Sequence, residues 1–412
     1  MSNNQNTQLY TILLIVFVGF IGASIAYPIF PPLFLHASAT NNLLAGPSTL
    51  IHNRSLLLGF TLAVYPLGQF IGSPIIGALS DKYGRRYILV MSLAGTMLGY
   101  LLTALALSSA QLWLLIASRF FTGLMESNLA LAQSIITDLK DINKHKGFGG
   151  ITFAASTGYI AGPLLGGFLS DTTLVSWFTI SFPFYMAALM SLITLVLAYL
   201  KIPETNKLRS NVGSMLRQFN FFFHLHEIRR SKLLTLLLII SLIFTLSVDL
   251  FYEFGPVFLT GEWMMNAAQI AIYNGALSLT IAIGGLLPYR LQLVFSAREM
   301  IIAAAILFAL FLLCIVMATS LYNLFFFFLI IGFFIPITQT ALSVQLSDAA
   351  AEDRQGQIMG MQWGLRMLGD AGICIFGGML IIYSVSLPLV LSAMTAILTA
   401  VIYFLLVRQA NG

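Results

Sequence analysis

The sequence predicts an all-α polytopic membrane protein with twelve transmembrane helices in two pseudo-symmetric six-helix bundles. Only 8% of the 412 residues are charged, whereas 58% are apolar, and the mean hydropathy is +0.92. Soluble domains carry about 25% charged residues because their surface faces water. The apolar residues form twelve long runs, and the basic residues collect on one side of them. This composition excludes a soluble enzyme, a disordered protein and a nucleic-acid-binding protein, despite an isoelectric point near 9.2.

The apolar runs are long enough to be transmembrane helices, which need about 20 mostly apolar residues. A β-barrel would show short alternating segments instead. The first run follows an N-terminus without basic residues, so we expect a retained span rather than a signal peptide. The twelve predicted spans are 9–35, 55–79, 87–108, 111–137, 148–170, 177–200, 233–259, 267–290, 299–318, 322–347, 356–382 and 385–407.

The basic residues predict the topology, because cytoplasmic loops carry an excess of Lys and Arg. With both termini inside, seventeen basic residues fall in cytoplasmic loops or ends and only Arg54 falls outside. Arg119 and Arg366 lie within spans. We therefore expect cytoplasmic termini, and the default location is a bacterial inner membrane.

One long hydrophilic stretch divides the chain into three predicted parts. These are an N-terminal six-helix bundle over 1–200, a cytoplasmic linker over 201–232 and a C-terminal six-helix bundle over 233–412. Spans five and eleven carry glycines at matching places, four pairs offset by 211 residues, which indicates diverged repeats. Duplicated halves are typical of alternating-access carriers. The linker residues His224 and His226 do not share a helix face, so no metal site is expected there.

The loop between spans two and three reads Gly77-Ala-Leu-Ser-Asp81-Lys-Tyr-Gly84-Arg85-Arg86. Its glycines permit a tight turn, and Asp81 can cap a helix or pair with an arginine. The string resembles the signature loop of the major facilitator superfamily, at the same place between spans. The resemblance implies a conformational latch formed by Gly77, Asp81, Gly84, Arg85 and Arg86.

Span five contains a regular series of small residues and a proline: Gly149, Gly158, Gly162, Pro163, Gly166 and Gly167. Such a helix presents a bare face that can press on a neighbour, and its proline permits a bend. A generic glycine-rich packing face is the alternative. The series resembles the antiporter motif of the twelve-span drug:proton antiporters, a group that includes multidrug and tetracycline exporters. The resemblance therefore favours export over import.

Two further segments carry the same resemblance. Arg119 to Gly123 in span four is similar to the RxxxG element of the superfamily, whose arginine is implied to take part in proton handling. Span one ends with Tyr27-Pro-Ile-Phe-Pro31-Pro32, which is like the proline-marked outer end of span one in the drug-exporter group.

The spans also contain ionisable residues that should face a cavity or a partner, because a charge at the bilayer centre costs about 2.5–3.5 kcal/mol on insertion scales. Three pairs each share a helix face, at separations of seven, four and four residues. Glu126 is the first candidate to exchange a proton, with Arg119 acting on its proton affinity. Arg366 and Asp370 could instead form a structural local salt bridge, and one acid of span seven could simply reach the outer interface. The six candidates for proton coupling are Glu126, Arg119, Asp249, Glu253, Asp370 and Arg366.

Polar and aromatic residues near the middle of spans are candidates for lining a substrate path, although any one such residue more often forms a helix–helix hydrogen bond. Together they suggest a large, mostly apolar cavity suited to an amphipathic organic molecule. The candidates are Tyr65, Gln69, Asn128, Gln133, Asn274, Gln339 and Trp363.

These features predict a secondary active transporter that exports a small organic molecule in exchange for protons. The alternative is a proton-coupled importer of an amino acid, a nucleoside or a siderophore on the same fold. A membrane-embedded enzyme is disfavoured because the sequence has no G-x-S-x-G or H-E-x-x-H motif, and an ATP-driven pump because it has no P-loop. A non-transporting receptor on the same fold is a third possibility.

The expected partners are the small-molecule substrate, protons as the coupling ion and the lipid bilayer, with no nucleic acid, and we expect a monomer. No cofactor and no metal are predicted. Cys314 and Cys374 both lie in apolar runs and are expected to be small packing residues.

Overall fold

The computed structural model describes residues 2–36, 53–126, 128–138, 144–204, 232–349 and 355–410. The regular structure of these residues is helical. In chain order the helices are α1 (Ser2–Ser24), α2 (Phe30–Leu35), α3 (Arg54–Tyr83), α4 (Arg85–Ser108), α5 (Leu112–Met125), α6 (Asn128–Asp138), α7 (Lys144–Leu169), α8 (Phe182–Lys201), α9 (Lys232–Trp263), α10 (Ala267–Gly284), α11 (Leu287–Leu291), α12 (Ala297–Val316), α13 (Leu321–Asp348), α14 (Gln355–Leu380) and α15 (Leu387–Ala410).

Each of the twelve predicted spans coincides with one helix or with two successive helices. Nine helical segments of the described chain are long and apolar enough to cross a membrane. The other three predicted spans are the fourth, which is divided between α5 and α6, and the fifth and eleventh, which form the glycine-rich helices α7 and α14. The all-helical polytopic fold class is therefore confirmed.

Span one is interrupted near its end, where the sequence predicted one continuous segment over 9–35. Helix α1 ends at Ser24, turns follow, and α2 begins at Phe30. The ring of Pro28 disfavours helical geometry at the preceding residue and removes one backbone donor. Pro31 and Pro32 lie in the first turn of α2, where no intrahelical partner is needed for the missing N–H.

Span four is also interrupted, and the interruption falls at its buried acid. Helix α5 ends at Met125, and Glu126 has φ −85° and ψ 63°, outside the helical range. The hydroxyl of Ser92 on α4 donates to the carbonyl of Met125 at 2.5 Å. This hydrogen bond satisfies a carbonyl at the C-terminal end of α5, where carbonyl groups have no partner within the helix. The predicted continuous helix over 111–137 is therefore wrong at this point.

The helices around this break approach one another at the level of the backbone. A Cβ on Gly123 of α5 would meet the carbonyl of Tyr65 on α3, and a Cβ on Gly68 or Gly72 of α3 would meet the backbone of α5. Small residues at such crossings allow close packing of membrane helices. This packing brings the side chains of α3 directly onto those of α5.

The chain divides into two compact units. One comprises Met1–Phe219 with Asn266–Ala271, and the other comprises Asn220–Met265 with Ile272–Gly412. In the first unit α1 packs along α7, α3 along α5 and α4 along α8, and in the second α12 packs on α13 and α15, while α9 packs on α14 and α15. Residues 205–231 of the predicted linker, with His224 and His226, lie outside the described residues.

Candidate functional site

The carboxylate of Glu126 is held inside the N-terminal half by tyrosines from two other helices. Tyr65 of α3 donates to its Oε2 at 2.7 Å, and Tyr100 of α4 donates to the same oxygen at 2.9 Å. Gln69 donates in turn to the hydroxyl of Tyr65 at 3.1 Å. Glu126 is 7% exposed, and its Oε1 has no hydrogen-bond partner among the described residues. One oxygen of the carboxylate thus accepts two hydrogen bonds, and the other is buried without a partner among the described residues.

Arg119 lies on the other side of Tyr65. The centre of its guanidinium group is 4.3 Å from the centroid of the Tyr65 ring and 5.6 Å from that of Phe30. Arg119 is 3% exposed, and its Nε and Nη1 lack hydrogen-bond partners in the described part of the chain. Within that part, no ion pair of 4.0 Å or less joins Arg119 to Glu126. The two predicted residues are brought together around Tyr65 without neutralising each other directly.

Charged residues also meet inside the C-terminal half, on helices α9 and α14. Arg366 donates from Nε to Oδ2 of Asp249 at 2.9 Å and from Nη2 to Oδ1 at 2.6 Å. The sequence suggested a local salt bridge from Arg366 to Asp370 on its own helix, but the bidentate pair links two helices. A planar guanidinium matches a carboxylate in this way, and the pair holds α14 to α9.

Asp370 and Glu253 lie near this ion pair, together with Cys374, which the sequence predicted only as a small packing residue. One ligand atom each from Glu253, Asp370 and Cys374 lies within 4.8 Å of the other two. Cys374 is fully buried, with its sulfur 4.0 Å from Oδ1 of Asp370. Cys374 follows Asp370 by four residues, which is the only sequence signal for this contact, because Glu253 comes from another helix.

The predicted latch loop is a tight turn between α3 and α4. Gly84 has φ +109°, a conformation that favours glycine, and Arg85 forms an ion pair with Asp81 at 2.8 Å. The carboxylate of Glu204, just after α8, accepts from the backbone N–H of Arg85 at 2.8 Å and of Arg86 at 3.3 Å.

The side chains of this loop extend the same contacts. Arg86 donates to the carbonyl of Tyr199 at 2.6 Å and lies over its ring. Glu204 therefore caps α4 from the segment that follows α8, a role that no local spacing could reveal. Gly77, the first residue of the predicted latch, would have open space around an added Cβ.

The glycine face of α7 lies directly on α1. A Cβ on Gly158 would meet the carbonyl of Phe17, one on Gly162 would meet the Ser24 side chain and the carbonyl of Ile21, and one on Gly166 would meet the carbonyl of Ile25. Pro163 is buried within α7. Gly149 differs from the others, because nothing lies within 4 Å of its added Cβ. The predicted bare face is thus a packing surface for span one.

The candidates for a substrate path are spread over both halves. Tyr65 and Gln69 belong to the Glu126 cluster. In the C-terminal half, Asn274 is buried on α10, Gln339 is half-buried on α13, and Trp363 lies 5.2 Å from the guanidinium of Arg366. Gln133 is exposed on α6. Asn128 begins α6, but its side chain lies outside the described residues.

Helices with apolar surfaces surround a few buried acids and arginines in each half. This arrangement is that of a polytopic helical membrane protein, and charges inside its spans are typical of an ion or substrate pathway. The chain belongs to the Major Facilitator Superfamily, because the family model of that name matches residues 12–371. It is accordingly a multi-pass membrane protein of a superfamily whose members include secondary transporters.

The relatives include several tetracycline resistance proteins. The class B protein of Escherichia coli is 38% identical over 157 residues, which are 38% of this chain and 37% of that protein. The class H protein of Pasteurella multocida is 34% identical over 211 residues, 51% of this chain and 48% of that protein. The class C protein of Escherichia coli is 28% identical over 367 residues, 86% of this chain and 85% of that protein. The first two matches thus span less than half of each relative.

Solved structures share the fold over nearly the whole chain. The human organic anion transporter MFSD10 superposes with a TM-score of 0.68 at 18% identity, covering 97% of this chain and 99% of that one. A bacterial homologue of the human lysosomal transporter Spinster gives a TM-score of 0.76 at 15% identity, covering 98% and 97%. At these identities the likeness is one of fold alone.

Proposed function

We propose that this protein exports a small amphipathic organic molecule in exchange for protons, by alternating access between two six-span halves. The observation that carries the proposal is the Glu126 cluster, a buried carboxylate at the break of span four with one oxygen fixed and one open. An acid inside a membrane span marks a proton or ion pathway by default.

The two oxygens of Glu126 have different tasks in this mechanism. Oε2 accepts from two tyrosine hydroxyls, so the carboxyl group keeps its place whether or not it carries a proton. Oε1 is the atom that takes up and releases the proton, because no described group occupies it. Arg119 lies on the same tyrosine, which places a positive charge close to the carboxyl group that exchanges the proton. The C-terminal acids Asp249, Glu253 and Asp370, with Arg366, form the second candidate site for proton coupling.

Tetracycline is the first molecule to test as a substrate, since the relatives are named for resistance to it. Export is supported by the antiporter-like glycine series of α7, whose backbone contact with α1 lets two spans move as closely packed neighbours. The excess of basic residues on one side supports cytoplasmic termini. A bacterial inner membrane is the expected location.

Transport in inside-out membrane vesicles tests the proposal directly. With an acid interior, the protein should accumulate tetracycline, and collapse of the pH gradient by an ionophore should release it. Glu126→Gln, which removes the exchangeable proton but keeps the size of the side chain, should abolish gradient-driven accumulation.

Glu262→Gln provides the matched control, since Glu262 is an exposed acid at the end of α9. It should transport like the unaltered protein. Full coupled accumulation by Glu126→Gln would refute the assignment of Glu126. Accumulation that requires an alkaline rather than an acid interior would favour the symporter alternative.

A further inference from the structure

The two arginines inside the membrane spans differ in how their hydrogen bonds are satisfied. Arg366 gives Nε and Nη2 to both oxygens of Asp249. Arg119 is more deeply buried, yet its Nε and Nη1 have no hydrogen-bond partner among the described residues. A buried charged group normally has its donors matched, because burying them unmatched is costly. Arg119 therefore carries two buried donors for which the described residues supply no acceptor.

The aromatic rings beside Arg119 do not supply that acceptor. The guanidinium centre lies 4.3 Å from the Tyr65 ring centroid and 5.6 Å from that of Phe30, distances at which a cation is attracted to a ring. The N–H bonds of a guanidinium lie in its own plane, so contact with a ring face leaves them free to donate. The rings hold the position of Arg119 and leave its buried Nε and Nη1 donors without an acceptor among the described residues.

Glu126 does not supply the missing hydrogen-bond acceptor for Arg119 either. Its carboxylate is not within 4.0 Å of Arg119 in the described structure, and its Oε2 already accepts from Tyr65 and Tyr100. The tyrosines thus keep the nearest acid directed to themselves. Arg119 keeps a positive charge and unmatched in-plane donors in an apolar setting.

We propose that Arg119 binds an acidic oxygen of the transported molecule, so that the substrate class is an amphipathic organic acid or enol. A carboxylate, enolate or phenolate oxygen is the acceptor that a guanidinium binds most strongly, by charge-assisted hydrogen bonds. Arg119 is then a binding residue for the substrate, in addition to its electrostatic effect on Glu126. This inference rests on the proposed function, because it takes the bound molecule to be the transported one.

Two naphthalene compounds that differ only in the acidic group test the inference on the purified full-length protein. Their affinities, 2-naphthoate against neutral 2-naphthylmethanol, are measured by calorimetric titration in detergent. We expect the acid to bind at least about tenfold more tightly, the difference that one hydrogen bond to a charged group supplies. Arg119→Gln should remove this difference by weakening the acid while leaving the affinity for the alcohol unchanged.

A second variant and a control separate binding from folding. Arg119→Lys keeps the charge but loses the planar donors, and should retain only part of the preference for the acid. Arg290→Gln makes the same change of charge at an exposed position of α11, and should bind both compounds like the unaltered protein. If Arg119→Gln does not fold, the unaltered protein and Arg119→Lys still decide the question.

Several results would overturn the inference. These are equal affinities of the unaltered protein for the two compounds, no saturable binding of the acid up to its solubility, or an equal loss for both compounds in Arg119→Gln. Proton-driven transport without any preference for the acid would refute the binding role of Arg119 and leave the proposed function intact. Preferential binding of the acid without proton-driven transport would refute the proposed function and leave the binding role of Arg119 intact.

Discussion

Removing either member of the Asp249–Arg366 pair should destabilise the protein unequally. Arg366→Gln leaves the Asp249 carboxylate, whose side chain is only 6% exposed, without the guanidinium that occupied both of its oxygens. Asp249→Asn leaves Arg366, whose side chain is 25% exposed and lies over Trp363. The more deeply buried partner is left unmatched in the first variant, so we expect the larger loss there.

The magnitudes follow from burial and from the remaining charges. Breaking a buried ion pair by removing one partner costs about 3–5 kcal/mol, and we expect this range for Arg366→Gln. That variant also removes a positive charge that acts on Asp370, which the negative charges of Asp249 and Glu253 repel. Asp249→Asn removes one of these acids and leaves a partly exposed cation, so we expect about 1–3 kcal/mol.

The assay is equilibrium unfolding in mixed detergent micelles, followed by circular dichroism so that Trp363 does not dominate the signal. The double variant Asp249→Asn with Arg366→Gln should lose less stability than the sum of the two single variants, by about 0.5–3 kcal/mol. Additive losses, or a greater loss for Asp249→Asn, would refute the conclusion that this pair joins α9 to α14.

Three further predictions concern the N-terminal half. Gly162→Ala should cost about 1–3 kcal/mol in unfolding free energy, because its Cβ meets the backbone of span one, while Gly149→Ala, in open space, should unfold like the unaltered protein. Glu204→Gln should speed hydrogen exchange of the first two amides of α4 by about two- to fivefold, since it removes a negative charge from a helix N-terminus; unchanged protection would contradict this capping role. Tyr100→Phe should lower stability by about 1.5–3 kcal/mol and leave Glu126 with one tyrosine donor, measured by the same unfolding assay, and a neutral effect would count against that hydrogen bond.

Most of the fold could be predicted from the sequence because the hydrocarbon core of a bilayer restricts which backbone structures can cross it. Backbone groups in a bilayer must be bonded internally, so a run of about 20 apolar residues is a helix. Each of the twelve predicted runs is accordingly helical. The breaks in spans one and four were missed, since composition gives the length of a span but not where its backbone leaves helical geometry. Glu126 was identified as an unusual residue, but its place at a helix end was not.

For the candidate sites, the sequence could predict only which residues share a face of the same helix. Separations of four or seven residues placed acids and arginines of the spans on shared helix faces, and their role in proton coupling stays a prediction. Their partners could not be found in this way. Asp370 was the nearest acid to Arg366 along the helix, yet the guanidinium makes its bidentate bonds to Asp249 on another helix.

The sequence by itself determined that this chain is a multi-pass helical protein and which few charges its spans contain, because both follow from local composition. The tertiary structure decided which of those charges are matched. Arg366 faces a carboxylate and Arg119 faces two rings, because helix packing rather than spacing along the chain places donors opposite acceptors. In a low-dielectric interior a matched and an unmatched cation differ greatly in free energy. That difference distinguishes an arginine that joins two helices from one that we propose binds the transported molecule.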